Sequence, residues 1–335
     1  MRRPRVLELF SGIGGVAAAL GEAAEVVAAI DVDRRALAVY AANHPGRTVA
    51  RTLDSIRPAD LAALEADLWT MSPPCQPFTR RGHGRDLDDP RTRGFLAVLA
   101  AVAAVRPPWL FVENVPGFAG SRAHARLVET LAEGGYRRHE RLLCPSELGM
   151  PNRRRRWYLV AGRQDVGLDE PAVEAATRRR PLAGFLDPDP APDLAVPADL
   201  VRRYRHAVDV VSADDPGAVT ACFTSAYGRS PVRSGSYLAV GDGGGTAETE
   251  RALDEGGATE RLPSLRRFSP AEILRLLGFP ASFRLPADLP RSAAWHLAGN
   301  SLSLPPVRAM LSAILPLPPS RGPVPVRNRR RPAPR

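Results

Sequence analysis

Apolar and polar positions alternate along residues 1–163 in a way that switches repeatedly between strand-like and helix-like spacing. Five short apolar runs predict β-strands, at residues 5–10, 25–31, 67–72, 108–115 and 156–162. The amphipathic segments between these runs predict helices. Strands that alternate with helices are typical of a parallel sheet covered on its faces by helices, so the pattern predicts an α/β fold.

Three further segments have helical patterns with clear limits. The longest apolar run, residues 95–105, is too short to span a bilayer and predicts a buried helix, and no membrane segment is expected. Residues 269–280 begin with a Ser and a Pro, carry an apolar stripe and end near a Gly, which predicts a capped helix. Residues 304–315 predict one more helix.

The composition changes near residue 164, where Pro, Asp, Arg and then Gly and Ser become frequent. We therefore divide the chain into a catalytic domain at 1–163 and a smaller, loop-rich domain at 164–262. Residues 263–318 are expected to return to the first domain. The basic segment 319–335 is expected to be disordered.

The formal charge is +10 and the pI is near 10.5, which favours a polyanionic partner such as nucleic acid. Compositional bias toward Arg is the alternative, because the chain has no lysine, but bias alone does not create a surplus of positive charge. Three widely spaced cysteines form neither a disulfide framework nor a metal site, so we expect no metal and a cytoplasmic location. The sequence does not determine the oligomeric state.

The segment "LELFSGIGG" places Gly12, Gly14 and Gly15 between a predicted strand and a predicted helix. Glycines at such a turn let the backbone approach a ligand closely. Asp31 follows Gly12 by nineteen residues, at the end of the second strand, where an acid can bind the hydroxyls of a ribose. The pair predicts a site for a nucleoside-bearing cofactor; the alternative is a tight turn with a surface Asp.

Cys75 lies in "SPPCQPFT", directly after the third strand, and the prolines on both sides restrict its backbone. A free cysteine is more often a small buried apolar residue. Glu113, however, also follows an apolar strand, and the carboxyl ends of parallel strands share one edge of a sheet. The two residues together predict a nucleophile with a proton donor.

The segment "NRRRRW", residues 152–157, is the third candidate element. Four arginines before a strand form a solvated basic edge, or they orient a phosphate or a base carbonyl through paired hydrogen bonds. The sequence leaves both alternatives open.

Six motifs together resemble the cytosine C5-methyltransferase family. They occur in the family's order: "FSGIGG", "SPPCQPF", "ENV", "PNRRRRWYLV", "FSPAEILRLLGFP" and "GNS". The resemblance covers residues 5–163 and 266–315, with a variable region between them. It implies a Rossmann-like sheet of the S-adenosylmethionine-dependent methyltransferases with a small, loop-rich target-recognition domain.

The segment "CFTSAYGRSPVRSGSYL", residues 222–238, resembles the family's tRNA-methylating branch, historically named as a DNA methyltransferase homologue. This branch modifies cytosine 38 in the anticodon loop of aspartate tRNA. The resemblance therefore implies tRNA as the substrate. The alternative is a DNA cytosine-5 methyltransferase, for example of a restriction–modification system, because a fold does not determine a substrate.

The resemblance also implies catalytic roles. The thiolate of Cys75 would add to C6 of cytosine and make C5 nucleophilic, and Glu113 would bind N3 and the exocyclic amine. Arg154 and Arg156 would orient the base or its backbone.

Residues outside the catalytic set are implied to contact the substrate or the cofactor. Cys222, Phe223 and Thr224 would contact the substrate, and Arg80 and Arg81 would hold phosphate from the loop after Cys75. The cofactor S-adenosylmethionine would be held by Phe10, Gly12, Gly14, Gly15, Asp31, Val32, Asp54, Ser72 and Asn300.

Overall fold

The computed structural model describes residues 2–78, 85–240 and 264–317. Two predicted phosphate contacts, Arg80 and Arg81, and the predicted disordered segment 319–335 lie outside these ranges.

A seven-stranded sheet forms the centre of the molecule, with the strand order β3-β2-β1-β4-β5-β7-β6. Its strands are β1 (Arg5–Leu9), β2 (Glu25–Asp31), β3 (Thr48–Ala50), β4 (Leu68–Met71), β5 (Trp109–Asn114), β6 (Tyr136–Leu143) and β7 (Arg156–Arg163). All five predicted strands are present, which confirms the α/β fold.

The helices are α1 (Gly15–Leu20), α2 (Arg34–Asn43), α3 (Pro58–Ala62), α4 (Arg93–Val105), α5 (Arg122–Glu133), α6 (Ala198–Tyr204), α7 (Pro270–Leu276), α8 (Arg291–Asn300) and α9 (Leu304–Leu311). The predicted buried helix is α4, and both predicted helices of the C-terminal segment are present. None of the helices within the described ranges combines the length and the apolar character needed to cross a membrane.

The expectation of a wholly parallel sheet is wrong at one edge. Strand β7 pairs antiparallel with both β5 and β6, whereas β1 to β5 pair in parallel. The apolar pattern of residues 156–162 predicts a strand but does not encode its direction. Strand β6 was not predicted, because only Tyr136 and Leu143 at its two ends are buried.

Alternate residues of the central strands pack into two cores on opposite faces of the sheet. In β1, Val6 belongs to the same core as Phe111 and Val160 on one face, while Leu7 belongs to the core of Leu159 on the other face. Burial on both faces holds the carboxyl ends of β1, β2, β4 and β5 in fixed positions along one edge.

A three-stranded sheet lies in the second half of the chain, in the order β10-β9-β8. Its strands are β8 (Asp209–Val211), β9 (Ser236–Val240) and β10 (Ser264–Arg267). Strand β10 begins two residues after the predicted limit of the loop-rich domain, and the division into domains remains a prediction.

Helix α7 begins with a capping box. The Ser269 side chain accepts a hydrogen bond from Glu272 N (3.1 Å), and the Glu272 carboxylate accepts one from Ser269 N (2.8 Å).

The C-terminal segment packs against the first half of the chain. Helix α9 packs on α1, where the Arg308 guanidinium donates to Ala19 O (2.5 Å). This packing places residues 299–302 beside the glycine turn that precedes α1.

Candidate active site

A cavity of about 700 Å³ opens at the carboxyl edge of the large sheet. Twelve of the eighteen residues predicted to form the site lie on its wall. They are Phe10, Gly12, Gly15, Asp31, Val32, Ser72, Cys75, Glu113, Arg154, Arg156, Thr224 and Asn300. Strand ends far apart in the chain are thus brought to one cavity, as the position of ligands in open α/β sheets predicts.

One side of the cavity is formed by the glycine turn and Asp31. Gly12 has a φ of +54° and donates its N–H to Asp31 Oδ2 (2.8 Å), while Asp33 N donates to Asp31 Oδ1 (2.9 Å). Each oxygen of Asp31 keeps a further lone pair for a ligand hydroxyl. Burial raises the pKa of this carboxyl, and the two backbone hydrogen bonds oppose the rise.

Two apolar side chains lie beside that acid. Val32 is 67% exposed, and it is one of the few large apolar side chains exposed among the described residues. Phe10 has a φ of +55°, a region that costs free energy for a residue with a Cβ. An exposed Val and a strained Phe on the same wall as the Asp31 carboxylate form an apolar surface suited to a flat ring.

Two predicted cofactor residues do not lie on the wall. At Gly14, where φ is +88°, an added Cβ would lie 2.5 Å from the His44 ring, so this glycine allows α2 to pack against the turn. Asp54 is exposed in the short turn Leu53–Ser55. Asp54 is not on the cavity wall, and its expected contact with the cofactor remains a prediction.

The loop after β4 carries Cys75, which is half-buried on the cavity wall. A side chain that we did not predict holds this loop in place: Asn114 Nδ2 donates to Pro73 O (3.1 Å), and its Oδ1 accepts from Val115 N (2.8 Å). At Gly117, an added Cβ would lie 2.4 Å from Phe78 O. Asn114, in the "ENV" motif, thus fixes the segment that precedes the thiol.

Glu113 is the last residue but one of β5 and is buried on the cavity wall. Burial raises the pKa of its carboxyl, and this effect is opposed by Arg156, by Arg154 and by a hydrogen bond with the Ser72 side chain. The Arg156 Nε lies 3.5 Å from Glu113 Oε1. A carboxyl biased toward its protonated form near a thiol is able to donate a proton.

The two predicted arginines differ in their contacts. Arg154 is buried and donates to three backbone carbonyls, Phe223 O (2.8 Å), Gly299 O (3.0 Å) and Ser301 O (2.5 Å). It therefore ties the "CFT" and "GNS" segments to the loop before β7. These contacts favour a structural role for Arg154, and Arg156 is the arginine placed beside Glu113.

The two thiols near these arginines are in different environments. Burial raises the pKa of the Cys75 thiol, and Arg156 only partly offsets the rise. Burial also acts on Cys222, but Arg154 Nη1 (3.5 Å) and Arg156 Nη2 (3.8 Å) outweigh it and lower the pKa of that thiol. Cys222 is not on the cavity wall, so its contacts with substrate remain a prediction.

Phe223 and Thr224 have separate roles. The Phe223 ring is buried and packs edge-on against Tyr227 (5.0 Å between ring centroids) and against Phe268 (5.2 Å). The ring belongs to the core, and a contact of Phe223 with the substrate remains a prediction. Thr224 is on the wall, and an added Cβ at Gly299 would lie 2.2 Å from its carbonyl carbon.

Arg91 and Glu8 are among the wall residues that we did not single out from the sequence. Arg91 forms two hydrogen bonds with the carboxylate of Asp89, at 2.8 and 2.6 Å. Glu8 lies in the middle of β1, where it accepts a hydrogen bond from Tyr40 OH (3.1 Å), and burial raises its pKa to about 8. An acid within an apolar strand is the only sequence signal for Glu8. Within the described residues, no group of three or more His, Cys, Asp or Glu side chains is placed to hold a metal ion.

Known proteins resemble this chain in sequence and fold over most of its length. A Schizosaccharomyces pombe protein named tRNA (cytosine(38)-C(5))-methyltransferase is 32% identical over 94% of this chain and 97% of its own length. A Dictyostelium discoideum protein named DNA (cytosine-5)-methyltransferase is 27% identical over 94% of this chain and 95% of its own length. The crystal structure of the S. pombe Dnmt2 methyltransferase superposes with a TM-score of 0.78 at 30% identity, covering 93% of this chain and 99% of that one.

A comparison with protein-family sequence models gives the family of this chain. Residues 4–209 match the model described as C-5 cytosine-specific DNA methylase, which covers more than half of the chain. The similarity to the S. pombe relative covers nearly the full length of both chains. The chain is therefore a member of the C-5 cytosine-specific DNA methylase family.

Proposed function

We propose that this protein transfers a methyl group from S-adenosylmethionine to C5 of cytosine 38 in the anticodon loop of aspartate tRNA. The observation that carries the proposal is the meeting of Cys75, Glu113 and Arg156 with the Asp31 site on the wall of one cavity. A thiol with a proton donor and a nucleoside site must share a cavity if a group is to pass between two bound molecules.

The residues of the wall fit S-adenosylmethionine, on which the family generally depends. Asp31 has free lone pairs for two ribose hydroxyls, and Phe10 and Val32 offer an apolar surface for the adenine. The cavity, at about 700 Å³, has room for a nucleoside with an amino-acid tail and for a base. When bound, this cofactor supplies an electrophilic methyl group on a sulfonium, and no metal is needed.

Cys75 begins the reaction in this mechanism. Its sulfur, as thiolate, adds to C6 of the cytosine, and electron density moves through the ring toward N3. The protonated Glu113 donates its proton to N3, so the ring stays neutral and C5 becomes nucleophilic. After transfer, C5 loses its proton to a base, the sulfur leaves C6, and Glu113 takes back the N3 proton.

Arg156 supports both groups. Its guanidinium lies near the Glu113 carboxyl and lowers the cost of forming the Cys75 thiolate in a buried position. Its attraction to the thiolate is largest when the charge forms, so it favours the attacking state over the resting thiol.

Three observations support RNA as the substrate. Relatives named as tRNA (cytosine(38)-C(5))-methyltransferases match over almost the whole chain. The net charge of +10 suits a polyanion. Bases in an RNA loop are already unstacked, so presenting one to Cys75 costs less than extruding it from duplex DNA. The cytoplasmic location expected from the sequence is part of the same proposal.

A DNA substrate is the second candidate, because the D. discoideum relative bears the name DNA (cytosine-5)-methyltransferase. A methyl-transfer assay with labelled cofactor separates the two on equal amounts of an aspartate tRNA transcript and of duplex DNA. We expect label in the tRNA and none in a transcript with uridine at position 38. Label in the duplex alone would overturn the tRNA proposal.

A further inference from the structure

His296, on α8, lies behind the cavity wall and contacts one wall residue and one loop. Its Nε2 is 3.1 Å from Asn300 Nδ2, one turn later in the same helix. Its Nδ1 is 3.3 Å from Ser225 O, in the segment that follows Thr224. Asn300 and Ser225 line the cavity, whereas His296 does not.

The chemistry of these three groups fixes their hydrogen atoms. A carbonyl oxygen can only accept, so Nδ1 of His296 carries the hydrogen that bonds Ser225 O. In the neutral ring Nε2 can then only accept, so the Asn300 atom facing it is the amide nitrogen. The Asn300 amide is therefore held with its oxygen directed away from the imidazole.

The position of Asn300 indicates what that oxygen meets. Leu302, two residues later, packs on the glycine turn, where an added Cβ at Gly15 would lie 3.0 Å from Leu302 Cβ. Residues 299–302 thus lie beside the glycine turn. With the ribose at Asp31 and the adenine at Phe10 and Val32, we place the amino-acid end of the cofactor, with its ammonium group, at this part of the wall.

We propose that His296 is a positioning residue that turns the Asn300 amide so that its oxygen accepts a hydrogen bond from the ammonium of the cofactor's amino-acid end. This inference rests on the proposed function.

The Ser225 carbonyl has a second donor, because Arg229 also donates to it (3.0 Å). On α7, which packs against α8, the charged side chains are Glu272 and Arg275, and each is held in an ion pair of its own. Among the described residues, none of the ion pairs includes His296.

The test is equilibrium binding of S-adenosylhomocysteine without nucleic acid, compared with 5′-methylthioadenosine, which lacks the amino-acid end. Loss of one hydrogen bond predicts that H296L weakens S-adenosylhomocysteine binding about fivefold and leaves 5′-methylthioadenosine within about twofold. In an N300A background, H296L should add no further loss. An equal loss for both ligands, or an undiminished effect in the N300A background, would overturn the inference.

H296Q supplies a neutral control that keeps one donor and one acceptor. Because Gln can keep the bonds to Ser225 O and to the Asn300 amide, H296Q should bind S-adenosylhomocysteine more tightly than H296L does. An H296Q protein as weak as H296L would contradict the inference, whereas a wild type that binds neither ligand contradicts the proposed function itself.

Discussion

Two thiols lie near the same pair of arginines, but their surroundings give them different properties. Cys75 is on the cavity wall, and burial raises the pKa of its thiol. Cys222 lies between Arg154 and Arg156, which lower the pKa of its thiol despite burial. Position, rather than resting acidity, therefore supports Cys75 as the proposed nucleophile: of the two thiols, Cys75 lies on the cavity wall, and Arg156 favours its thiolate.

Glu8 makes a separate prediction at the scale of one residue. Burial raises the pKa of Glu8 to about 8. Above the pKa of the unfolded chain, folding therefore takes up a proton at Glu8. The stability of the fold then decreases as the pH rises toward 8. Between pH 6 and pH 9 the free energy of unfolding should fall by on the order of 2 kcal/mol more in the wild type than in E8Q.

Urea unfolding at the two pH values measures this difference. E22Q is the matched control, because Glu22 is exposed, and it should behave as the wild type does. Equal pH dependence in the wild type and in E8Q would show that Glu8 is not titrating in this range.

At the scale of elements, the sequence predicted the helices and strands whose apolar pattern and end residues agree with their packing in the structure. The Ser269-Pro270 start of α7 and the apolar run of β2 were located correctly. Strand β6 was missed because its polar residues suit an exposed edge, and only pairing with β7 makes it a strand.

The predictable part of the site has the same limit. The rule that ligands bind at the carboxyl ends of strands located Cys75 and Glu113, because it needs only the order of elements. Arg154 contacts Gly299 and Ser301, which follow it in the sequence by 145 and 147 positions. No local sequence pattern encodes contacts over such a separation. The burial of Phe223 depends in the same way on rings from later in the chain.

The loop after β4 depends on one amide, which gives a prediction for catalysis. N114A removes the hydrogen bond to Pro73 O and should lower kcat by about tenfold to a hundredfold, because a small displacement of Cys75 misaligns its attack. Cofactor affinity should be nearly unchanged. Single-turnover rates and cofactor binding measure the two effects; an N114A protein that loses affinity but keeps its rate would contradict this role.

The junction of β10 and α7 gives a prediction for stability. Arg266 and Glu272 form a buried ion pair with two hydrogen bonds, at 2.8 and 2.7 Å. R266M leaves a buried carboxylate without its partner and should lower the free energy of unfolding by about 3–5 kcal/mol. R57M, which breaks the exposed pair with Asp60, is the control and should leave the free energy of unfolding almost unchanged. Similar losses of unfolding free energy in R266M and R57M would refute the role of the buried Arg266–Glu272 pair.

At the scale of the whole molecule, positive charge is the main feature that nucleic acid would meet. Residues 319–335 carry six arginines and no acidic residue, out of a net charge of +10. We expect that replacing these six arginines with Gln makes the plot of log affinity for tRNA against log salt less steep by at least about 1. The rate at saturating tRNA should not change. An unchanged salt slope would show that the segment does not contact phosphate.

The central claim is that the sulfur of Cys75 bonds transiently to C6 of the target cytosine. Fluorine at C5 cannot leave as a proton does, so a tRNA with 5-fluorocytosine at position 38 should remain attached to the protein after methyl transfer. Mass spectrometry of the digested complex should find the methylated nucleotide on the peptide that contains Cys75, and no adduct with C75S. An adduct on Cys222, or methylation of ordinary tRNA by C75S, would contradict the account.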